Sequence, residues 1–305
     1  MEQTIVFGHK SPDTDSICST IAMANLQTKI KGEEVIPCRL GEINEETKYA
    51  LEKFSVETPK LINKIEEGQR VILVDHNEFT QSVEGIENAK IEAVVDHHRI
   101  NNFETSEPLF YYAQPVGCTA TILFELYRSN NIEIEPKIAG IMLSAIISDT
   151  LLLKSPTTTE KDKIALEELS KIAKVDVNNY GIDMLKAGTD LDKYTEEELI
   201  RLDAKKIEKE DVKYIIAQVN TVSIPDVLKR KEKIEREMNK EILSKGLSLF
   251  VFVITDIINS NSEAIVLGDR VDAISKTYEI NDNIAIMPGV VSRKKQILPL
   301  VEKNM

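Results

Sequence analysis

The chain has 305 residues, of which 42% are hydrophobic and 29% charged, a composition that excludes a disordered or fibrous protein and suits one large or two medium globular domains. Lys and Arg total 38 against 51 Asp and Glu, and the net charge of −13 repels nucleic acids and anionic membranes while leaving small metal-chelated anions as admissible substrates. Cys18, Cys38 and Cys118 are far apart, odd in number and outside any C-x-x-C pattern, which speaks against a disulfide framework or thiolate zinc site and for a reduced, cytoplasmic setting. The N-terminus MEQTIVFGHK lacks a basic start followed by a long apolar region, and no later apolar run is long enough to span a bilayer, so neither secretion nor membrane insertion is expected.

In chain order, Thr4 to Phe7, Val71 to Val74 and Ala93 to Val95 are short, apolar and rich in β-branched residues, the pattern of parallel strands buried on both faces. In KIAGIMLSAIIS, Ile138, Ile141, Met142, Ala145 and Ile146 fall on one helical face. Strands alternating with helices predict an open, mainly parallel α/β sheet flanked by helices. After Pro156, Thr157 and Glu160 stand in the relation of a capping box, and a charged amphipathic helix follows. The segment KAGTDLDKYTEEEL then loses apolar periodicity before Thr195 and Glu198 repeat that capping relation. This predicts a first domain over 1–187, a hinge at 188–194 and a second domain over 195–305. In the second, Tyr214 to Val219, Leu249 to Thr255, Ala264 to Leu267 and Val290 to Val291 read as strands, and Asp226 to Ser244 as one long helix. This smaller α/β domain ends in the compact basic patch SRKKQ.

Each of the four histidines follows one of the predicted strands of the first domain: His9 in GHKSPDTD, His76 in VDHN, and His97 and His98 in VDHH. Ligands of open α/β sheets collect beyond the carboxyl ends of strands. Three stretches therefore deliver imidazoles and carboxylates to one edge, with Asp13 and Asp15 added from the loop after the first strand and able to diverge if that loop is extended. Asp149, directly after the helical run ending at Ser148, meets the negative end of the helix dipole, a conflict that a cation there would remove. Imidazoles and carboxylates without a thiolate favour Mn²⁺, Mg²⁺ or Co²⁺ over structural zinc, and the carboxylates are too many for one ion. Asp75, central among the segments, is the candidate bridge of a two-metal site. A lone Asp-His after a strand is more often a turn, and His76 also reads as a packed histidine; the coincidence of all the placements argues for a site.

IVFGHKSPDTDSICSTIA, ILVDHNE, VVDHHRI, PVGCTATI, SAIISDT and VVSRKKQ, in this order and nearly from end to end, resemble the family II manganese-dependent inorganic pyrophosphatases of the DHH phosphoesterase superfamily. The resemblance implies a DHH-type first domain and a second domain with a mixed sheet. It implies that His9, Asp13 and Asp75 hold one metal, and that Asp15, Asp75, His97 and Asp149 hold the other. It further implies that His98, Lys205, Arg293 and Lys294 bind substrate, with LDAKK a weaker anchor for Lys205 than SRKKQ is for the other two. The implied cofactors are two Mn²⁺, with Co²⁺ or Mg²⁺ as substitutes, and additional Mg²⁺ carried on the substrate. The implied reaction is hydrolysis of pyrophosphate to two phosphates by a metal-bridged water or hydroxide, with substrate clamped between the domains of a cytoplasmic homodimer joined through its N-terminal domains.

The nearest alternative is a DHH-type phosphoesterase acting on short polyphosphate, bisphosphorylated nucleotides or short oligonucleotides. A nucleotide site needs surfaces for stacking a base, whereas aromatics are only 5% of this chain and the second domain offers a basic patch. A non-catalytic metal- or phosphate-sensing module is the alternative from another class. The stretch from His98 to Asp149 is too short for the nucleotide-binding insert of regulatory relatives.

Overall fold

The computed structural model describes residues 3–209 and 212–305; the side chains of Lys209, Lys294 and Lys295 lie outside that description. The chain divides into two compact units, Met1–Gly188 and Thr189–Met305. The first carries β1 (Ile5–Phe7), α1 (Thr14–Lys31), β2 (Ile36–Arg39), α2 (Glu45–Lys53), β3 (Lys60–Leu61), β4 (Arg70–Val74), β5 (Lys90–Asp96), β6 (Phe110–Ala113), α3 (Thr119–Ser129), α4 (Pro136–Thr150), α5 (Glu160–Ala173) and α6 (Val177–Gly188). The second carries α7 (Glu196–Leu199), β7 (Ala204–Lys209), β8 (Val212–Thr221), α8 (Ile224–Leu228), α9 (Lys231–Lys245), β9 (Leu249–Asp256), β10 (Asn261–Leu267), α10 (Asp272–Ser275), β11 (Ile280–Asn281), β12 (Ile284–Met287) and α11 (Leu298–Asn304).

The first unit is built on a parallel six-stranded sheet in the order β3-β2-β1-β4-β5-β6. Its central strands read as unbroken apolar runs because both faces are covered: Val6, Phe7, Val71, Ile72, Leu73, Val74, Val94 and Val95 are all buried. On one side α1 packs against β1, α3 and α4. Helix α4 is buried from Ile138 through Ile147 on every face, which is why its apolar stripe broadens into a continuous run. The strand order reverses at the β1/β4 pair, the switch point beyond which ligands of open α/β sheets collect. His9 and Asp75 follow those two strands.

The second unit has a mixed sheet, β11-β12-β10-β9-β8-β7, with β8 and β9 parallel and the remaining pairs antiparallel. Period-two alternation divides its core. Ile215, Ala217, Phe250 and Phe252 face Ile234 and Met238 of α9, while Tyr214, Ile216, Val251 and Val253 face Ala273, Ile274 and Val301 of α10 and α11.

Four local expectations are corrected. The helix after Pro156 starts two residues later than expected: Thr159 is its N-cap and Asp162 takes the N3 position, accepting from the Thr159 amide at 2.7 Å and hydroxyl at 2.6 Å. Thr157 instead exchanges a hydrogen bond with the Ser155 hydroxyl at 2.7 Å. Asp13 and Asp15 do not lie in an extended loop; Asp13 caps α1 by accepting from the Ser16 amide at 2.9 Å, and Asp15 sits in its first turn. The stretch Asp226 to Ser244 is split, with α8 ending at Leu228 and α9 beginning at Lys231. Val290 and Val291 form no strand, because the Gln218 and Gln296 side chains take the Val291 carbonyl and amide, while the Val290 carbonyl accepts from the Ser262 hydroxyl and its amide donates to the Met287 carbonyl. The Thr195 capping box forms as expected, with Glu198 accepting from the Thr195 amide at 2.9 Å.

Candidate metal centre

The candidate ligands come from separate elements, except that Asp13 and Asp15 both belong to the start of α1. Gly8, ending the β1 run, leaves no room for a side chain: a Cβ there would stand 2.0 Å from the Ser16 hydroxyl, so the first turn of α1 lies directly against the chain before His9. Asp75 follows β4 in a left-handed conformation (φ 58°), strained for a residue with a Cβ, and its amide is tied to the Val95 carbonyl at 3.0 Å. His97 follows β5, and Asp149 occupies the last turn of α4, whose chain then passes through left-handed Leu151, Leu152 and Leu153.

The structure brings seven of the candidate side chains together. His9, Asp13 and Asp75 form one set of converging donor atoms and Asp15, His97 and Asp149 another; Asp75, His97 and His98 form a third. His9 Nε2 lies 3.4 Å from Asp75 Oδ2 and 3.5 Å from Asp13 Oδ2. His97 Nε2 lies 3.4 Å from Asp75 Oδ1 and 3.7 Å from Asp149 Oδ2. Asp75 thus faces His9 through Oδ2 and His97 through Oδ1, with His98 Nδ1 3.7 Å from the latter oxygen. Both imidazoles are anchored through their other nitrogen, His9 Nδ1 to the Lys10 carbonyl at 2.8 Å and His97 Nδ1 to the Val116 carbonyl at 3.0 Å. That arrangement puts the proton on Nδ1 and leaves Nε2 as the inward-facing donor atom.

The buried charges act strongly on one another. Burial opposes the His9 imidazolium, but the adjacent Asp13 and Asp75 carboxylates outweigh it and raise the pKa to about 11. His97 is pushed up to about 9, burial again being overcome by its bond to Asp75 and the charge of Asp15. Burial and the Asp75 charge raise Asp15 to about 6. Burial, then the Asp15 and Asp75 charges, hold the Asp149 carboxyl well above the carboxylate range, while Asp75 lies below it because His9 and His97 overcome its own burial. So many carboxylates cannot ionise together here without concentrated positive charge.

Several supporting residues were not singled out by sequence. The N-terminus of α3 points at the cluster: the amides of Thr119 and Ala120 donate to Asp15 at 2.6 and 3.3 Å, and the Thr119 hydroxyl donates to Asp75 at 3.0 Å. Ser19, one turn into α1, donates to Asp15 at 2.6 Å. Glu46 of α2 accepts from the hydroxyls of Thr14 and Ser148, at 2.7 and 2.5 Å, and so links the segments carrying Asp13, Asp15 and Asp149. Asn77 donates to Asp96 at 2.6 Å, and Asp96 in turn holds His98 by its amide and by Nδ1, at 3.0 and 2.9 Å. The PVGCTATI motif, where α3 starts, was the available signal for Thr119; no pattern pointed to Glu46. His76 is a packed histidine, buried against Phe7 with Nδ1 on the Val74 carbonyl at 2.9 Å.

The substrate candidates divide between the units. His98 is half-exposed beside the cluster, its pKa raised by the Asp96 bond. In the second unit Lys205 is exposed on β7, and Arg293 contacts both the carbonyl and, at 2.9 Å, the carboxylate of Asp203. Asp203, Gln218, Asn220, Val291, Ser292 and Arg293 line a cavity of about 350 Å³. The Lys294 side chain lies outside the described residues.

A parallel sheet with acidic and imidazole donors at its switch point, followed by a unit with a mixed sheet, defines the two-domain DHH type of protein. Residues 3–146 match the DHH family N-terminal domain and residues 182–304 the DHHA2 domain. A Bacillus subtilis protein named manganese-dependent inorganic pyrophosphatase is 52% identical over 308 residues, covering 100% of this chain and 99% of its own. A solved Methanococcus jannaschii structure assigned to family II inorganic pyrophosphatase is 40% identical, covers 99% of each chain and superposes with a TM-score of 0.63. An exopolyphosphatase-related protein of Bacteroides fragilis, 12% identical with a TM-score of 0.51 and covering 99% of this chain and 92% of its own, shares the fold. The chain belongs to the manganese-dependent inorganic pyrophosphatase family.

Proposed function

We propose that the chain hydrolyses inorganic pyrophosphate to two phosphates with manganese, and the observation that carries this is the meeting of two donor sets on Asp75. The donors fit such ions. Asp75 Oδ2 is buried without a hydrogen-bond partner, the two Nε2 atoms face Asp75 at 3.4 Å, and the imidazole and carboxylate donors without thiolate suit Mn²⁺ better than structural zinc. His9, Asp13 and Asp75 would hold one cation, and Asp15, Asp75, His97 and Asp149 the other. When bound, the cations supply Lewis-acid charge to the phosphoryl oxygens and acidify water.

The chain's own residues do the rest. Carbonyl anchors fix the tautomers of His9 and His97, and the amides at the start of α3 hold Asp15 in a single orientation. His98, its Nδ1 bonded to Asp96, keeps Nε2 available to donate to a phosphate oxygen. Arg293 would exchange Asp203 for a phosphate, which its planar fork can bind through two parallel hydrogen bonds, while Lys205 and Lys294 add point charges. Phosphoryl transfer to water by positioned charge needs no nucleophilic side chain.

Mg²⁺ carried with the substrate and a homodimer joined through the N-terminal unit belong to the same reading. So does a cytoplasmic location, supported by three free, buried cysteines; the charge of −13 argues against nucleic acid as a partner. Arg293→Ala is expected to raise KM for pyrophosphate roughly tenfold or more, because a charge-assisted hydrogen bond is lost. Manganese content, read by elemental analysis of the same sample, should not change; loss of metal would contradict the assignment.

A further inference from the structure

The segment before Arg293 leaves the sheet at β12, yet its backbone is fastened almost group by group by side chains. The Gly289 amide donates to Asn261 at 2.9 Å, and the Val290 carbonyl accepts from Ser262 at 2.7 Å. Gln296 accepts from the amides of Val291 and Ser292 at 2.9 and 3.0 Å and donates to the Gly289 carbonyl at 2.9 Å. Gln218, reaching across from β8, donates to the Val291 carbonyl at 3.0 Å and accepts from the Arg293 amide at 2.8 Å.

Gln218 is also the visible end of a polar chain inside an otherwise apolar sheet. Its amide group donates to the Thr255 hydroxyl at 2.8 Å, which exchanges a hydrogen bond with the Ser262 hydroxyl at 2.9 Å, and Thr255 and Ser262 are 2% and 1% exposed. The chain crosses β8, β9 and β10 and meets the arginine-bearing segment at both ends. Polar groups so deeply buried hold one arrangement only when each is satisfied. The backbone amide of Gln218 donates to the Asp203 carbonyl at 3.1 Å, the same carbonyl that receives the Arg293 guanidinium. One residue therefore references both the backbone and the guanidinium of Arg293 to the sheet.

We propose that Gln218 is a positioning residue for substrate, setting where the Arg293 guanidinium meets a phosphate. This rests on the reading of Arg293 as a phosphate ligand. Holding a charged fork in place before substrate arrives is worth more than supplying it on a mobile loop, since a misplacement of about 1 Å can cost up to about a hundredfold in rate.

The test is steady-state pyrophosphate hydrolysis by the manganese-loaded full chain as wild type, Gln218→Met, Gln218→Glu, Arg293→Ala and both Gln218 variants combined with Arg293→Ala. Gln218→Met keeps length but removes all three side-chain bonds. It should raise KM about tenfold, with unchanged manganese content and a smaller effect on kcat. Gln218→Glu keeps the acceptor for the Arg293 amide and should fall between it and wild type. In the Arg293→Ala background either Gln218 change should add no more than about twofold, because the group it positions is gone. An unchanged KM beside a raised one in Arg293→Ala, or the same factor in both backgrounds, would overturn the positioning role. Arg293→Ala leaving KM unchanged would overturn the phosphate reading itself, and the positioning role with it. Melting curves check folding, and if Gln218→Met does not fold, Gln218→Glu in both backgrounds makes the same comparison.

Discussion

Asp75→Ala is expected to lose both bound cations together and to lower pyrophosphate hydrolysis by roughly a thousandfold or more, beyond the loss from a single transition-state contact. Among the described residues Asp75 alone faces both His9, through Oδ2, and His97, through Oδ1, and it belongs to two of the donor sets. Asp149→Ala makes the internal comparison, since Asp149 meets only the His97 side. Elemental analysis should find Asp75→Ala nearly empty and Asp149→Ala depleted at one site. An Asp75→Ala protein that keeps both ions and turns over would remove the basis for a shared ligand.

Asp162→Ala is expected to be among the most destabilising single changes in the first unit. Asp162 is fully buried and accepts four hydrogen bonds, from the Gly117 amide at 2.9 Å, the Thr121 hydroxyl at 2.6 Å, and the Thr159 amide and hydroxyl at 2.7 and 2.6 Å. Alanine would strand the buried Gly117 and Thr121 donors away from water and release the half-buried Thr159 pair, at about 3–5 kcal/mol by analogy with a broken buried pair. For a unit of this size that lowers the melting temperature by about 10 °C. The effect should reach the metal centre, because Gly117 and Thr121 flank Thr119, which holds Asp15 and Asp75. Calorimetric melting with and without manganese reads both; an unchanged melting temperature would show that Asp162 is not the fastening.

The positions of the candidate ligands His9, Asp75, His97 and Asp149 were legible because each follows a hydrophobic run whose period and composition identify it. The runs before His9, Asp75 and His97 are short, β-branched and buried on both faces, so the strand ends could be found without knowing the fold. Misread details were those where a polar side chain chose between nearby partners. Thr157 and Thr159 are equivalent in a local pattern, and only Asp162, already committed to Gly117 and Thr121 some 40 positions away in sequence, selects Thr159. Val290 and Val291 carry strand propensity, yet Gln218 and Gln296 take the backbone groups of Val291 and the Ser262 hydroxyl takes the Val290 carbonyl. Glu46 was invisible for the same reason: its partners Thr14 and Ser148 lie 32 and 102 residues away. Periodicity reports burial, whereas long-range hydrogen bonds leave no periodic trace.

The most direct test of the account is phosphate release by the manganese-loaded chain with Mg²⁺ present, comparing pyrophosphate with short polyphosphate, a bisphosphorylated nucleotide and a short oligonucleotide under the same conditions. Rapid cleavage of pyrophosphate, with strong preference over the other three, is the expected result. Preference for a nucleotide or polyphosphate would contradict the role given to the basic patch around Arg293, and absence of turnover in the fully metallated protein would contradict catalysis itself.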